Sequence, residues 1–269
     1  MGHIKERKSY SLGKRISCKP VAVGADESRG GLVVDSPTMT SGIKARHADE
    51  FAIDETEGIL FALAQAVEQR DHQTAGHCER LAFIGVALGM AMGLDRANLL
   101  SLYRGGFLHD VGKVGIPDSI MFKPSSLTAE EWVTMRSHTV RGEEICRHLS
   151  SLRPVLPIIR HHHERWDGSG YPDGLRGAQI PLLARIVQVA DIYDALISAR
   201  PYKPAFTPHD ALRIMQEETD RGWRDPEIIA LFFALHEGVI SKIAEYTTGA
   251  DRNLEAMRNT LANLQGALG

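Results

Sequence analysis

The sequence predicts an all-α fold, and three observations support that prediction. Apolar residues recur every three or four positions over most of the chain, as they do on the buried face of an amphipathic helix. Helix-start signals precede several of these stretches, namely a capping box at 128–131 and the cap-then-proline pairs Thr207–Pro208 and Asp225–Pro226. Glycine-rich stretches at 112–118 and 167–177 interrupt the helical period as loops. We therefore expect a helical domain with one long ordered loop.

Each apolar stripe along the chain predicts one helix. The first three stripes consist of Leu60, Leu63, Ala64 and Val67, then Leu81, Ile84 and Leu88, then Leu99, Leu102, Tyr103 and Gly106. The capping box starts a further predicted helix, whose inward residues are Trp132, Met135, Ile145 and Leu149. Two more helices are predicted at 155–163 and 182–198, and the two cap-then-proline pairs start others.

The amino-acid composition excludes several classes of protein. The chain has 269 residues, of which 43% are apolar and 24% charged, with a formal net charge of −3. This balance excludes wholesale disorder, and the slight acidity argues against nucleic acid as the main partner. The sequence lacks an apolar run of roughly 18 residues and the apolar segment of a signal peptide. With three widely spaced cysteines, which suit reduced thiols, we expect a cytoplasmic protein that binds no membrane.

Three regions differ in their patterns. Residues 1–50 carry glycine, serine and proline clusters with short β-branched runs at 21–23 and 32–34, so we expect a flexible leader or a small hairpin. Residues 51–236 form the predicted helical domain. Residues 237–269 form an amphipathic extension with heptad-like apolar spacing. The extension has two alternatives, packing on the core or pairing with a second subunit, and we favour the homodimer.

Histidine is the unusual residue in this composition. The chain has 12 histidines, and eight of them lie between residues 72 and 163. Helical spacing places several histidines and two aspartates on apolar faces, and these residues are His77, His109, Asp110, His138, His162, His163 and Asp191. A single inward histidine is usually a hydrogen-bonded core residue. Seven such side chains, two of them carboxylates, would be costly to bury without a cation, so the sequence predicts a metal site.

The size of this set predicts two metal ions. One divalent cation rarely takes more than six ligands, and a catalytic site also keeps one position open. Seven ligands with one bridging carboxylate suit a pair of ions. Paired ions about 3.5–4 Å apart are a common device for hydrolysing phosphate esters. The mixed nitrogen and oxygen ligands permit iron, manganese, nickel, cobalt or zinc.

Four motifs carry a family resemblance. They are His109-Asp110-Val111-Gly112-Lys113, then HHERWDGSGYPDGLRG at 162–177, then VADIYDAL at 189–196, and finally Arg200-Pro201-Tyr202-Lys203. From about Asp54 to Leu235 the chain resembles the HD-GYP domain, the bacterial cyclic di-GMP phosphodiesterase family within the HD superfamily of metal-dependent phosphohydrolases. The resemblance implies an HD-domain helical bundle with a long ordered GYP loop and a short irregular N-terminal leader.

The resemblance also implies roles for individual residues. One metal would be held by His77, His109, Asp110 and Asp191, and the other by Asp110 as a bridge with His138, His162 and His163. Iron or manganese is favoured for the pair. Lys113 would contact the phosphate, and Asp71 would deliver a proton near the leaving oxygen. Arg200 and Lys203 would hold the phosphates and guanine of the ligand, with Tyr171 in the signature loop.

One position departs from a variant of the family pattern. Members with a third metal carry a glutamate four residues before the first ligand histidine, and this chain has Gln73 there. An amide adds no negative charge, so we expect two metals rather than three. The family usually carries an N-terminal receiver or sensor domain, for which residues 1–50 are too short. We therefore expect that a regulator is missing or sits on another chain, with regulatory or diguanylate-cyclase-type proteins as candidate partners.

Neighbouring residues receive roles other than metal binding. His161 is rotated away from the face of the next two histidines, so we expect it at the surface. Glu164 is expected to orient an imidazole. Cys78 is expected to serve packing, since it points about 100° away from His77 round the helix.

The resemblance and the residues together predict a hydrolase. The leading function is metal-dependent hydrolysis of cyclic di-GMP to pGpG and onward to GMP through a binuclear centre. Two alternatives remain open at this point. In the first alternative, the chain hydrolyses another cyclic dinucleotide, such as mixed cyclic GMP–AMP. In the second, it is a catalytically weak cyclic di-GMP sensor that recruits a partner. The intact ligand set and Lys113 favour an enzyme.

Overall fold

A computed structural model describes residues 55–70, 76–199, 204–248 and 253–265. Through these residues the regular structure is helical, which confirms the predicted fold class. The chain divides into a unit of residues 1–47 and a unit of residues 48–269, and the predicted leader lies outside the described residues. Within the described ranges, no helix is both long enough and apolar enough to cross a bilayer.

The described chain forms a succession of helices with short connections. Their bounds are α1 (Glu55–Arg70), α2 (His77–Ala91), α3 (Arg96–Leu108), α4 (Asp118–Met121), α5 (Ala129–Arg136), α6 (His138–Cys146), α7 (Leu156–His161), α8 (Leu182–Ile197), α9 (Pro208–Asp220), α10 (Pro226–Thr248) and α11 (Leu254–Gln265). Single 3-10 turns lie at Val111–Gly115, Ser150–Leu152 and Gly177–Gln179. The longest irregular stretch is the predicted loop, between α7 and α8.

Helix α2 lies at the centre of the bundle and packs against α3, α8, α10 and α11. Its predicted stripe of Leu81, Ile84 and Leu88 is buried. A Cβ added at Gly106 of α3 would lie 2.6 Å from the backbone of Ala82 in α2, so the two helices approach too closely for a larger residue there. This tight antiparallel packing brings the end of α3 beside the start of α2.

The predicted helix starts are present. The Thr128 hydroxyl accepts from the backbone N–H of Glu131, and the Glu131 carboxylate accepts from the backbone N–H of Thr128 at 2.8 Å, which confirms the capping box. The Thr207 hydroxyl accepts from the backbone N–H of Asp210 at 3.1 Å and so caps α9. Helix α10 begins at Pro226, as the second cap-then-proline pair predicted.

The single helix predicted after the capping box is wrong, because the structure has α5 and α6 on either side of Ser137. The Ser137 hydroxyl donates to the carbonyl of Thr134 at 2.6 Å and competes with the helical hydrogen bonds there. The inward placement of Trp132 and Ile145 is also wrong, since these side chains are 46% and 36% exposed. Helix α5 therefore lies at the rim of the bundle, and none of its residues is buried.

The stripe predicted on α1 is partly wrong. Ala64 and Val67 are buried, but Leu63 is 39% exposed. Phe61 occupies the buried face instead, with its ring 5.0 Å from that of Phe107. Phe61 therefore packs against α3 in the position predicted for Leu63.

The C-terminal extension packs within the chain. Helix α10 runs without a break across the predicted boundary at 236/237. Met257 and Leu261 of α11 are buried in the main core, and Tyr246 of α10 lies 5.3 Å from the ring of Phe83. The described apolar side chains of α11 therefore pack on the chain's own core, and pairing with a second subunit stays a prediction.

Candidate metal centre

The seven predicted metal-ligating residues converge, and six of them lie at the ends of helices. His77 opens α2 and His138 opens α6, whereas only Asp191 lies within a helix, α8. The other four directly follow helix ends, with His109 and Asp110 after α3, and His162 and His163 after α7. The sequence placed these four on helical faces. The structure instead aims them inward from the turn beyond each helix.

Backbone carbonyls at these helix ends hold three of the imidazoles. The Nδ1 atoms of His109, His138 and His162 lie 3.0, 2.8 and 2.9 Å from the carbonyl oxygens of Gly106, Met135 and Ile159. The last carbonyls of a helix lack partners within the helix, so they are ready acceptors. An Nδ1–H donated outward leaves the Nε2 lone pair of the same ring pointing inward.

His77 is held by a carboxylate rather than by a carbonyl. Its Nδ1 lies 2.7 Å from Oδ2 of Asp194, whose other oxygen accepts from Nε of Arg80 at 2.5 Å. Burial would raise the pKa of the Asp194 carboxyl, but His77 and Arg80 lower it. The backbone N–H of His77 also donates to the buried Glu68 carboxylate at 2.7 Å.

Asp194 was missed by the sequence reasoning as a functional residue. A signal for it was present, because it lies three residues after Asp191 and therefore near the same face of α8. An aspartate that accepts the Nδ1–H of a metal-ligating histidine is a recurrent feature of metal sites.

The seven side chains form two clusters. The first, the four-residue cluster, contains Asp110, His138, His162 and His163, and the second, the three-residue cluster, contains His77, His109 and Asp191. Within each cluster, the atoms able to bind a metal lie within 4.8 Å of one another. Asp110 connects the two clusters. Its Oδ1 lies 3.2 Å from Nε2 of His138, and its Oδ2 lies 3.3 Å from Nε2 of His109.

The inward atoms of these clusters lack hydrogen-bond partners. Among the residues that the structure describes, this holds for the buried Nε2 atoms of His77, His109, His138 and His162 and for Oδ1 of Asp110. Leaving several polar atoms unpaired in a buried site costs free energy. Divalent cations take imidazole nitrogen and carboxylate oxygen together, so the donor set fits them.

Electrostatics favours the charge states that metal binding needs. Burial would raise the pKa of Asp110, but Lys113 and His109 hold it well below its usual value. Burial lowers the pKa of His162, and burial together with neighbouring imidazoles lowers that of His163 further. Burial opposes protonation of His109, whereas Asp110 raises its pKa. The carboxylate is therefore charged and at least two of the imidazoles are neutral near pH 7.

Lys113 lies at the same centre. It belongs to the 3-10 turn after α3, and its Nζ lies 2.8 Å from Oδ2 of Asp110. A Cβ added at Gly112 would overlap the backbone carbonyl of His138, so the turn packs directly on α6. The required glycine places the lysine ammonium beside the carboxylate that joins the two clusters.

The signature loop packs against the four-residue cluster. The backbone N–H of Tyr171 donates to the carbonyl of His163 at 3.2 Å, and the two rings stack with centroids 4.9 Å apart. Glu164 is fully buried and accepts from the backbone N–H groups of Asp173 at 2.7 Å and Leu175 at 3.1 Å. The predicted role of Glu164 in orienting an imidazole is therefore corrected, because its carboxylate holds the loop backbone.

A third group of similar residues lies nearby. His161, Glu164 and Asp173 also bring their polar atoms within 4.8 Å. However, Glu164 is engaged by loop amides, and Asp173 accepts from Arg160 at 2.8 and 2.9 Å. His161, which was expected at the surface, is only 14% exposed at its side chain. Because the two carboxylates are already paired, this group does not resemble a cation site.

A cavity of about 300 Å³ lies against both clusters. His163 of the four-residue cluster and Asp191 of the three-residue cluster line it, together with Trp132, Arg136 and Tyr171. A ligand in this cavity would therefore reach the metal-binding atoms. Asp71, Gln73, Arg200 and Lys203 lie outside the described residues, so their predicted roles stay predictions.

Comparison with known proteins adds family information. Residues 62–228 match the HD domain. A cyclic di-GMP phosphodiesterase of Vibrio cholerae is 39% identical, covering 71% of this chain and 42% of that protein. The cyclic di-GMP phosphodiesterase response regulator RpfG of Xanthomonas campestris is 42% identical, and the match covers 60% of this chain and 43% of that protein. The 3′3′-cGAMP-specific phosphodiesterase 3 of V. cholerae is 34% identical, covering 74% and 46%. The chain spans about half the length of the curated relatives it matches.

Solved structures show the same fold. The crystal structure of V-cGAP3, a cyclic GMP-AMP specific phosphodiesterase of V. cholerae, aligns with a TM-score of 0.56 at 20% identity, covering 79% of this chain and 59% of that one. The HDG"Y"P protein Bd1817 of Bdellovibrio bacteriovorus aligns with a TM-score of 0.51 at 21% identity, covering 73% and 65%. At these identities the alignments show the helical fold alone.

Proposed function

The chain belongs to the HD-domain family, as its motifs predicted, and from this premise we propose that it is a metal-dependent phosphodiesterase of cyclic dinucleotides. One observation carries the proposal. Asp110 spans two histidine clusters in which four inward Nε2 atoms lack hydrogen-bond partners in the described chain. This arrangement suits two divalent cations that share one carboxylate. Relatives that hydrolyse cyclic di-GMP or cyclic GMP–AMP support the substrate class.

The proposed ligands divide between the clusters, with Asp110 belonging to both. His138, His162 and His163 would hold one cation, and His77, His109 and Asp191 would hold the other. We propose that the two metals are iron or manganese. When bound, paired divalent cations lower the pKa of a water and stabilise charge on phosphoryl oxygens.

The remaining chemistry belongs to the chain's own groups. Water attacks phosphorus, the bond from phosphorus to the 3′ oxygen breaks, and the 3′ oxygen takes up a proton. Lys113, whose ammonium contacts Asp110, neutralises charge that develops on the phosphoryl oxygens. Asp71 is the proposed proton donor, and Arg200 and Lys203 the proposed ligand-binding pair, as the motifs imply. Tyr171 borders the same cavity.

Cyclic di-GMP is the proposed substrate, with pGpG and then GMP as products. The test incubates the full chain, loaded with iron or manganese, with cyclic di-GMP, cyclic GMP–AMP and cyclic di-AMP, and separates the products by chromatography. Fastest turnover of cyclic di-GMP supports the proposal. Fastest turnover of cyclic GMP–AMP favours the second candidate, for which the 3′3′-cGAMP-specific phosphodiesterases of V. cholerae argue. Tight binding without turnover of any of the three contradicts the enzymatic proposal.

A further inference from the structure

Two residues that line the cavity beside the clusters, Trp132 and Arg136, have no role in the proposed mechanism. Trp132 and Arg136 of α5 meet Tyr171 of the signature loop there, and we call these three residues the aromatic–arginine wall. The guanidinium carbon of Arg136 lies 5.6 Å from the ring centroid of Trp132 and 5.1 Å from that of Tyr171. Both distances are within the range of cation–π attraction. The two rings therefore hold the guanidinium at the cavity.

The wall is continuous with the proposed metal centre. The Tyr171 ring stacks on that of His163, and this histidine belongs to the four-residue cluster. Trp132 and Arg136 lie four residues apart, so they share one face of α5. The indole is 46% exposed although the side chain is large and apolar. An exposed aromatic face beside a cavity that reaches the clusters is suited to stacking a flat ligand.

Arg136 has its guanidinium at this cavity without a carboxylate partner in the described chain. Among the described side chains, no carboxylate forms an ion pair with Arg136. Arg224, by contrast, is paired with Glu218 at 2.8 Å. Arg165 also has no carboxylate partner among the described residues, but it lies over the ring of Trp223 and donates to the Ser169 hydroxyl at 3.5 Å. Arg136 therefore keeps its donors for a ligand.

The geometry points to a nucleobase subsite in which Trp132 stacks one base of the cyclic dinucleotide and Arg136 selects guanine. This inference rests on the proposed function. Guanine presents two acceptors, O6 and N7, on one edge, and the guanidinium fork donates to both. Adenine presents an amino donor where guanine has O6, so it would oppose one of the two N–H groups.

If the aromatic–arginine wall requires guanine, the three cyclic dinucleotides should differ in the number of orientations in which they bind productively. Cyclic di-GMP presents guanine in either orientation, mixed cyclic GMP–AMP in one of two, and cyclic di-AMP in neither. Because the preferred orientation of the mixed substrate offers one particular phosphodiester to the clusters, its first cleavage should give mainly one of the two linear isomers.

The experiment compares the metal-loaded full chain with Arg136→Ala, Arg136→Lys and Trp132→Ala. Arg147→Ala is the matched control, because Arg147 is exposed and does not line the cavity. KM and kcat are measured with the three cyclic dinucleotides and with bis(p-nitrophenyl) phosphate, which carries no base. The isomers released first from cyclic GMP–AMP are separated by chromatography.

Arg136→Ala should raise KM for cyclic di-GMP roughly ten- to hundredfold, as expected for a lost charge-assisted contact. Values for cyclic di-AMP and for bis(p-nitrophenyl) phosphate should stay unchanged, and the mixed substrate should give both isomers. Arg136→Lys should keep the charge but lose the guanine preference, since the fork is gone. Trp132→Ala should weaken all three dinucleotides by similar factors.

An Arg136→Ala variant that changes KM for all three dinucleotides equally, or for none, overturns the guanine subsite. An equal isomer mixture from the unaltered chain overturns it as well. Failure of the proposed function is distinguishable. If the unaltered chain cleaves none of the four compounds, calorimetric binding of the same dinucleotides to the same variants tests the wall. Absence of binding there overturns both proposals.

Discussion

Two groups of imidazoles and carboxylates lie side by side in this molecule, and they differ in what already contacts them. In the clusters around Asp110, four histidines have a held Nδ1 atom and an Nε2 atom without a hydrogen-bond partner in the described chain, and they are His77, His109, His138 and His162. In the group of His161, Glu164 and Asp173, both carboxylates are engaged by backbone amides or by Arg160. The same residue types therefore form a candidate metal centre in one place, whereas in the other they hold the backbone of the signature loop.

The difference teaches that residue type does not by itself identify a cation site. His161 Nδ1 also has no hydrogen-bond partner in the described chain, but both carboxylates beside it already accept strong hydrogen bonds and gain little from a metal. Around Asp110, by contrast, Oδ1 of the carboxylate is itself without a hydrogen-bond partner. His161 and His162 are neighbours in sequence, yet only His162 has its inward nitrogen beside Asp110, at 3.7 Å. Four substitutions would sharpen or break this contrast.

The largest effect is expected from Asp110→Ala. Both clusters lose the carboxylate that they share, so both metals should be lost together, and turnover should fall about a thousandfold or more. Elemental analysis and the hydrolysis assay measure the two effects. Asp173→Ala is the control and should keep the full metal content. Retention of one metal by Asp110→Ala would contradict the bridging role.

Glu164→Gln should have the second largest effect, and on stability rather than on metal content. The amide keeps one acceptor but places an NH₂ group against a loop N–H in a buried site. The free energy of unfolding should fall by about 2–3 kcal/mol, measured by urea denaturation. Unchanged stability with weaker metal binding would instead make Glu164 part of the metal centre.

Asp194→Asn should weaken one metal selectively. The carboxylate holds Nδ1 of His77, and loss of such a partner typically lowers metal affinity ten- to hundredfold. Competition with a chelator measures the affinity of each metal separately. His138→Ala, on the other cluster, should weaken the opposite metal preferentially. Equal loss of both metals in Asp194→Asn would show that the two clusters do not bind independently.

Asp173→Asn should have the smallest effect. Arg160 lowers the pKa of the Asp173 carboxyl, but the pair is at the surface, so it should contribute less than about 1 kcal/mol. This contribution is present above the unfolded pKa near 4 and is lost as the pH falls through the lower folded value. Denaturation at pH 7 and pH 2.5 should therefore show a small difference between variant and unaltered chain that disappears in acid.

Local sequence determined much of this protein. Helical periodicity, the capping box and the two cap-then-proline pairs predicted most of the helices, because these signals involve residues at most four positions apart. The seven proposed ligands were also identifiable, because histidines and aspartates recurred on apolar faces and the HD and GYP motifs are contiguous. Leu63 was misplaced, because a choice between neighbouring apolar residues depends on the helix packed against them.

Tertiary structure decided the features that depend on distant partners. Asp194 holds His77 across 117 positions, and no local pattern connects the two. The engagement of Glu164 by loop amides, and the packing of Met257 into the core, likewise depend on how segments meet. The sequence determines which groups are able to bind a metal or fill a core. Folding determines which of their atoms already have a partner, because a buried group is satisfied by whatever the packed neighbours bring to it.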